Sequence, residues 1–168
     1  STTTAAPSAP TTDAEPKVSP VEAMKVGSNF LRGRILAELA DPALDHLSDE
    51  AKNIIKFHGS YQQEDRDSRK RRDKPGVGKA YMFMIRLKLP GGKMSADQYL
   101  AMDDICGKWG NGTLRVTTRQ SFQFHGVLKS NLKATLKAID TVLLNSIAAC
   151  GDINRNVMCN VLPEQSRA

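Results

Sequence analysis

Read from Ala80 to Cys150, the chain runs strand, helix, strand, strand, helix, strand, and this order predicts an α+β fold of the ferredoxin-like, split βαβ (βαββαβ) kind. Two alternating stretches and two helical stripes carry that reading. In the first stretch, Tyr81, Phe83, Ile85, Leu87 and Leu89 share one face, while Met82, Met84, Arg86 and Lys88 share the other. In the second, Gly112 to Val127, the even positions Leu114, Val116, Thr118, Gln120, Phe122 and Phe124 are mostly apolar. The odd positions Arg115, Thr117, Arg119, Ser121, Gln123 and His125 are wholly polar. Tyr99, Met102, Cys106 and Trp109 form the first helical stripe, and Leu132, Leu136, Ile139 and Leu143 the second.

Taken in order, residues 1–20 are rich in Thr, Ala, Pro and Ser and bury too little apolar surface to offset their ordering entropy, so a disordered tail is expected. Residues 21–79 read as an extended N-terminal arm. Val21 to Lys25 suits a short helix, Ser28 to Gly33 a turn, and Ile35 to Leu39 a helical turn. Ser48 is a helix N-cap, with Asp49 and Glu50 complementing the dipole and Ile54, Ile55 and Phe57 buried. Phe57 to Asp67 mixes aromatic, amide and charged groups and reads as a surface loop or an arm laid against a polar site, with the loop as the default. Ser68 to Lys79, with Arg69-Lys70-Arg71-Arg72, is a basic turn-rich connection.

Residues 80–150 hold the split βαβ unit. Its first strand ends at Pro90-Gly91-Gly92. Ser95 and Gln98 make a capping box for the first helix, and Gly110 to Gly112 stop it. The stretch from Gly112 bends near Arg119 into two strands. Ser130 or Asn131 caps the second helix, and Ser146 to Cys150 reads as a closing edge strand. Gly151-Asp152 is a turn, and Asn154-Arg155-Asn156 sets one more cation just beyond it.

Composition narrows the class without choosing a function. Twenty-four Lys and Arg against 18 Asp and Glu give a net charge of +6, which suits nucleic acid, an acidic partner or a small anion alike. No apolar run reaches the length of a membrane span. Three cysteines, Cys106, Cys150 and Cys159, are odd in number and far apart, which argues against a disulfide framework or a zinc site made by this chain alone. The start without Met and the end in PEQSRA suit a processed form or a fragment.

The polar sheet face is unusual in kind. Arg86, Lys88, Arg115, Thr117, Arg119, Gln123 and His125 from three strands share it, and guanidinium groups hold anions in a two-pronged fork. An anionic ligand is therefore expected there. Arg86 lies mid-strand among residues suited to burial and needs an ion-pair partner or a ligand. His46 reads as solvated, and His58 as a loop histidine with a backbone partner.

Four segments in order resemble one family: FHGSYQQEDRD (Phe57 to Asp67), RLKLPGGK (Arg86 to Lys93), TTRQSFQFHGV (Thr117 to Val127) and GDINRNVMC (Gly151 to Cys159). They resemble the amino-terminal part of assimilatory sulfite reductases, within the sirohaem/[4Fe–4S] nitrite/sulfite reductase superfamily. SNFLRG at Ser28 to Gly33 fits the sulfite branch, and ACGDINRN with LAMDD at Leu100 to Asp104 looks closer to the ferredoxin-dependent type. The resemblance implies that 80–150 is a ferredoxin-like half-domain and that 151–168 begins a truncated sirohaem-binding domain. It implies six-electron reduction of sulfite to sulfide, with sulfite as substrate and ferredoxin as electron donor. Sirohaem carries eight carboxylates, so its pocket needs cations. By the same resemblance Arg86 and Arg155 contact substrate, as catalytic residues, while Arg115, Thr117, Arg119, Gln123 and His125 line the sirohaem pocket. The family's four cluster cysteines, second half-domain and substrate-site lysines have no counterpart here, so this chain supplies no metal ligand and is not expected to work alone. The expected location is bacterial cytoplasm or plastid stroma.

Nitrite reduction within the same superfamily is the nearest alternative. An RNA-binding βαββαβ module shares the element order and the basic balance. It needs stacking aromatics on the open sheet face, however, and Phe122 and Phe124 fall on the face with Leu114 and Val116, which leaves the open face none.

Overall fold

The structure, a computed structural model, describes residues 18–69, 79–150 and 154–166. The first 17 residues, most of the basic run and the Gly151-Asp152 turn lie outside the described residues. The arm begins with α1 (Pro20–Val26), opened by a complete Ser19/Glu22 capping box, followed by α2 (Ile35–Ala40) and α3 (Asp49–Ile54), capped by Ser48. Ser19 and Pro20 thus belong to the first helix rather than to the tail. A 3₁₀ turn (Ile55–His58) leads through left-handed Gly59 into β1 (Ser60–Glu64), with α4 (Arg66–Arg69) after it. Then come β2 (Tyr81–Arg86), α5 (Ala96–Trp109), β3 (Arg115–Thr117), β4 (Ser121–Val127) and α6 (Lys129–Thr141).

Among the described residues four strands form one antiparallel sheet in the order β1-β2-β4-β3. Helices α5 and α6 pack on one face of it. Phe83, Ile85, Phe124 and Val127 from the sheet meet Met102, Ile105, Cys106, Leu132 and Ile139 from the helices, all buried. The capping box at Ser95 and Gln98 forms as expected. Burial, followed by the Asp103 charge, pushes the Cys106 thiol above its ordinary pKa, as befits a packed thiol rather than a reactive one.

Several expectations about elements are corrected. Ser60–Glu64 is a strand, not a loop, and pairs with β2 from Ser60 opposite Ile85 to Glu64 opposite Tyr81. Its inward residues, Ser60 and Gln62, are polar, so no apolar alternation announces it. Gln62 is nevertheless buried, and its amide meets both peptide groups of Leu47: Leu47 N donates to Oε1 at 2.7 Å, and Nε2 donates to Leu47 O at 3.2 Å. The closing strand at Ser146 to Cys150 does not form. One bridge, Lys88 to Asn145, stands in its place, and Ser146 instead bonds the His58 carbonyl. Helix α6 starts at Lys129 without a side-chain cap. Lys129 is buried, and its Nζ donates to the Asp41 and Leu44 carbonyls at 2.6 and 2.7 Å, tying the arm to the sheet domain.

The even-face reading of Gly112 to Val127 holds only in part. Val116 is 74 % exposed because β3 is a three-residue edge strand. Tyr99 is half exposed, though its ring meets Phe122 edge-on at 6.1 Å. Leu143 is exposed beyond the helix end, and Leu144 is buried instead. In β4 a bulge resets the period: Ile85 faces Phe124, while Phe83 faces Val127. Gly126 takes φ +77° there, and a Cβ on it would lie 2.8 Å from Asn111 Cβ. The bulge lets Phe124 and Val127, of opposite parity, both reach the core.

Candidate functional site

The sheet face turned away from α5 and α6 carries the cations. Register brings Arg86, Gln123 and Arg115 into a row across β2, β4 and β3, because Gln123 sits opposite both arginines. With its amide oxygen turned to Arg86, Gln123 accepts from Arg86 Nε at 2.8 Å and Nη2 at 2.7 Å. The other end of that amide then donates to His125 Nε2 at 3.3 Å, two residues along the same strand face. A ring nitrogen that accepts is unprotonated, so this contact describes a neutral His125. Burial, then the Arg115 and Arg86 charges, pull the His125 pKa below its ordinary value, in agreement.

Arg119 is not on a strand. Residues 118–120 close the β3–β4 hairpin, with Gln120 N bonded to Thr117 O at 3.1 Å and Gln120 at φ +53°. Thr117 serves that turn, its hydroxyl accepting from Arg119 N at 3.3 Å. Gln120 is strained for a non-glycine residue. Its side chain compensates by clamping the Cys159 backbone, donating to Cys159 O at 2.7 Å and accepting from Cys159 N at 3.0 Å.

The segment from Asn154 therefore lies across the end of the sheet. Asn156 Oδ1 accepts from Leu89 N at 2.8 Å, and its Nδ2 donates to Leu89 O at 2.6 Å and Arg119 O at 2.8 Å. Gly91 N donates to Val157 O at 2.7 Å. This brings Arg155 near Arg86. Burial lowers the Arg86 pKa from its ordinary value, the Arg155 and Arg119 charges lower it further, and Cys150 opposes them. Among the described residues none of Arg86, Arg115 and Arg119 is in an ion pair. Guanidinium groups gathered on one face, with no carboxylate paired to Arg86, Arg115 or Arg119, form a site suited to a multivalent anion.

Of the residues expected at the site, Arg86, Arg119 and Arg155 gather at one end, and Arg115, Gln123 and His125 continue across the face. Thr117 is a turn cap. Sequence reasoning missed Asn156, Gln120 and the buried Cys150. Asn156 lay inside a segment read for its cation, and Gln120 fell on the face assigned to the core. Next to His125 and Arg115 an open groove of about 1190 Å³ continues over Met82 and β1 to Lys79, Glu64 and Asp65. Tyr61 joins this face, opposite Met84, and is 38 % exposed, so the face carries one aromatic from β1. His58 has its expected backbone partner, Leu31 O at 2.7 Å. His46 is not simply solvated: it stacks on Tyr81 at 4.4 Å and bonds Asp45 at 2.6 Å. Among the described residues no cluster of His, Cys, Asp or Glu could hold a metal ion, and no helix is long and apolar enough to cross a membrane.

Known proteins resemble this chain in sequence and in fold. Residues 76–142 match the nitrite/sulfite reductase ferredoxin-like half domain. The chain is 54 % identical over 150 residues to the sulfite reductase [NADPH] hemoprotein beta-component of Staphylococcus haemolyticus, covering 89 % of this chain and 26 % of that protein. It is 52 % identical over 163 residues to the protein of the same name from Methylobacterium nodulans, covering 95 % and 27 %. The Mycobacterium tuberculosis NirA protein superposes with a TM-score of 0.67 at 26 % identity, over 82 % of this chain and 26 % of that one. The chain thus spans about a quarter of the length of the relatives it matches.

Proposed function

We propose that this chain is the amino-terminal portion of a sulfite reductase and supplies half of its anion pocket, because residues 76–142 match the nitrite/sulfite reductase ferredoxin-like half domain. One observation carries the reading: Arg86, Arg119 and Arg155 converge at the end of an open sheet face with no carboxylate paired to Arg86 or Arg119. That arrangement fits both sulfite and the carboxylates of sirohaem. When bound, the sirohaem and its iron–sulfur cluster supply the six-electron redox chemistry. The chain's own residues do the rest. Arg86 and Arg155 hold the dianion and favour departure of its oxygens as water. Arg115, Arg119, Gln123 and His125 hold the cofactor's acidic rim, and neutral His125 orders water on the proton path. Thr117 serves through the turn that presents Arg119.

The names of the relatives carry NADPH and a beta-component, so the donor is read as NADPH acting through a companion component. The ferredoxin donor suggested by LAMDD and ACGDINRN finds no support in those names. The bacterial sources favour a cytoplasmic over a plastid setting. Nitrite stays the second substrate, because the matched half domain is shared by both reductases. The test is to express the full-length protein, record its visible spectrum and measure sulfide formed from sulfite beside nitrite turnover. Sirohaem bands with preferential sulfite turnover are expected. A protein without those bands refutes the reading, and preferential nitrite turnover moves it to the second substrate.

A further inference from the structure

We propose that Asn156 is a positioning residue whose side-chain amide assembles Arg86, Arg119 and Arg155 into one anion-binding group. The inference rests on the sulfite reductase reading above and concerns how its site is held.

The three guanidinium groups come from segments far apart in the sequence: the β2 strand, the β3–β4 hairpin turn and the segment after the second helix. Asn156 touches all three. Toward β2 it behaves as a missing peptide unit, accepting from Leu89 N at 2.8 Å and donating to Leu89 O at 2.6 Å. Toward the hairpin its second amide hydrogen reaches Arg119 O at 2.8 Å, with Gln120 O further off at 3.4 Å. Its own backbone is continuous with Arg155. One side chain therefore fixes the strand end beyond Arg86, the turn that presents Arg119 and the backbone from which Arg155 projects. Only an amide supplies a donor pair and an acceptor on one short stem. Aspartate loses the donors and sets a carboxylate against three carbonyl oxygens, and alanine loses every bond.

Such a clamp is needed because the gathered groups repel. Arg86 is partly desolvated and feels the charges of Arg155 and Arg119, so bonds from neutral groups elsewhere help to hold it beside them. Gln120 gives a second tie three residues on, through both peptide groups of Cys159, and Gly91 N adds a backbone bond to Val157 O at 2.7 Å. A charge cluster held ready before the ligand arrives spends none of its binding on reorganisation.

The test uses the full-length enzyme with its cofactors. Four quantities are measured for wild type, Asn156→Ala, Arg155→Ala and the double variant: sirohaem content, sulfite affinity from the spectral shift on titration, KM against kcat, and melting temperature. Asn156→Ala should keep its sirohaem bands, weaken sulfite binding about tenfold and raise KM in step. In the Arg155→Ala background the same change should cost less than about twofold, because the group it positions has already lost a member. A drop in melting temperature with sulfite affinity unchanged overturns the proposal, as does full multiplication of the two losses. If Asn156→Ala does not accumulate, Gln120→Ala cuts the second tie with Asn156 intact, and about a threefold loss of sulfite affinity is expected. Unchanged affinity in that variant then counts against the proposal. Absence of sirohaem bands in the wild type defeats the functional reading instead, so the two failures are distinct.

Discussion

At the scale of single residues, the site is a problem in keeping like charges together. Arg86 is half buried, bonded to a neutral amide and close to two other cations, so its favourable partner is an anion that arrives. Replacing Arg155 by Ala in the full-length enzyme should lower kcat/KM for sulfite by about a hundredfold, of the order seen when one preorganised charge donor is removed, with sirohaem still bound. Sulfide assays beside the visible spectrum check it, and unchanged turnover removes Arg155 from the substrate site. His125 gives a prediction that needs no cofactor. Its folded pKa lies below the ordinary value, first through burial and then through Arg115 and Arg86. The unfolded chain therefore binds more protons between the folded pKa and about 6.5, and stability falls as pH drops through that window. Urea unfolding at several pH values should show this fall, and His125→Asn should flatten it. An unchanged slope in the variant would assign the pH dependence to other groups.

At the scale of elements, β1 shows what a polar strand rests on. Gln62 is buried and makes two bonds to the Leu47 peptide groups, joining the arm to the sheet. Gln62→Leu keeps the volume but strands a buried donor and acceptor, and should cost about 1–3 kcal/mol in urea unfolding with little change in slope. An unaltered midpoint would mean that the Leu47 peptide finds other partners. The same strand marks where the sequence stopped being legible. β2, α5 and the α6 stripe were readable because their buried residues are apolar at a fixed period. Ser60 and Gln62 are buried yet polar, so β1 has no such signal. The bulge at Gly126 breaks the period of β4, which is why Val127 joins Phe124 in the core. The final strand failed because Ser146 bonds His58 O rather than extending the sheet. In the site, Arg115 and Arg119 were legible as odd-numbered polar residues and Arg86 from the alternation of its own strand, whereas Asn156 and Gln120 act through contacts with segments distant in sequence, which no local pattern encodes.

At the scale of the whole molecule, the open sheet face decides what this chain can do without the remainder of its longer relatives. The helices cover one face; the other presents Arg115 to solvent and leaves Arg86, Arg119 and His125 only half covered. A charge pair at such a surface contributes about 0–1 kcal/mol, and physiological salt screens it within roughly 8 Å. Several cations facing one polyanion therefore give weak, salt-sensitive capture. Enclosing the same cations under a second protein layer removes water and strengthens each contact. The 168-residue chain, expressed alone in cells that supply sirohaem, should thus emerge from purification at about 0.15 M salt without haem absorbance. The full-length protein should keep its bands through the same salt. Mixing the chain with sirohaem at low salt should show weak binding that Arg86→Ala and Arg119→Ala each reduce further. Stoichiometric sirohaem retained by the isolated chain at high salt would show that these residues make a complete pocket, and the half-site account would have to be given up.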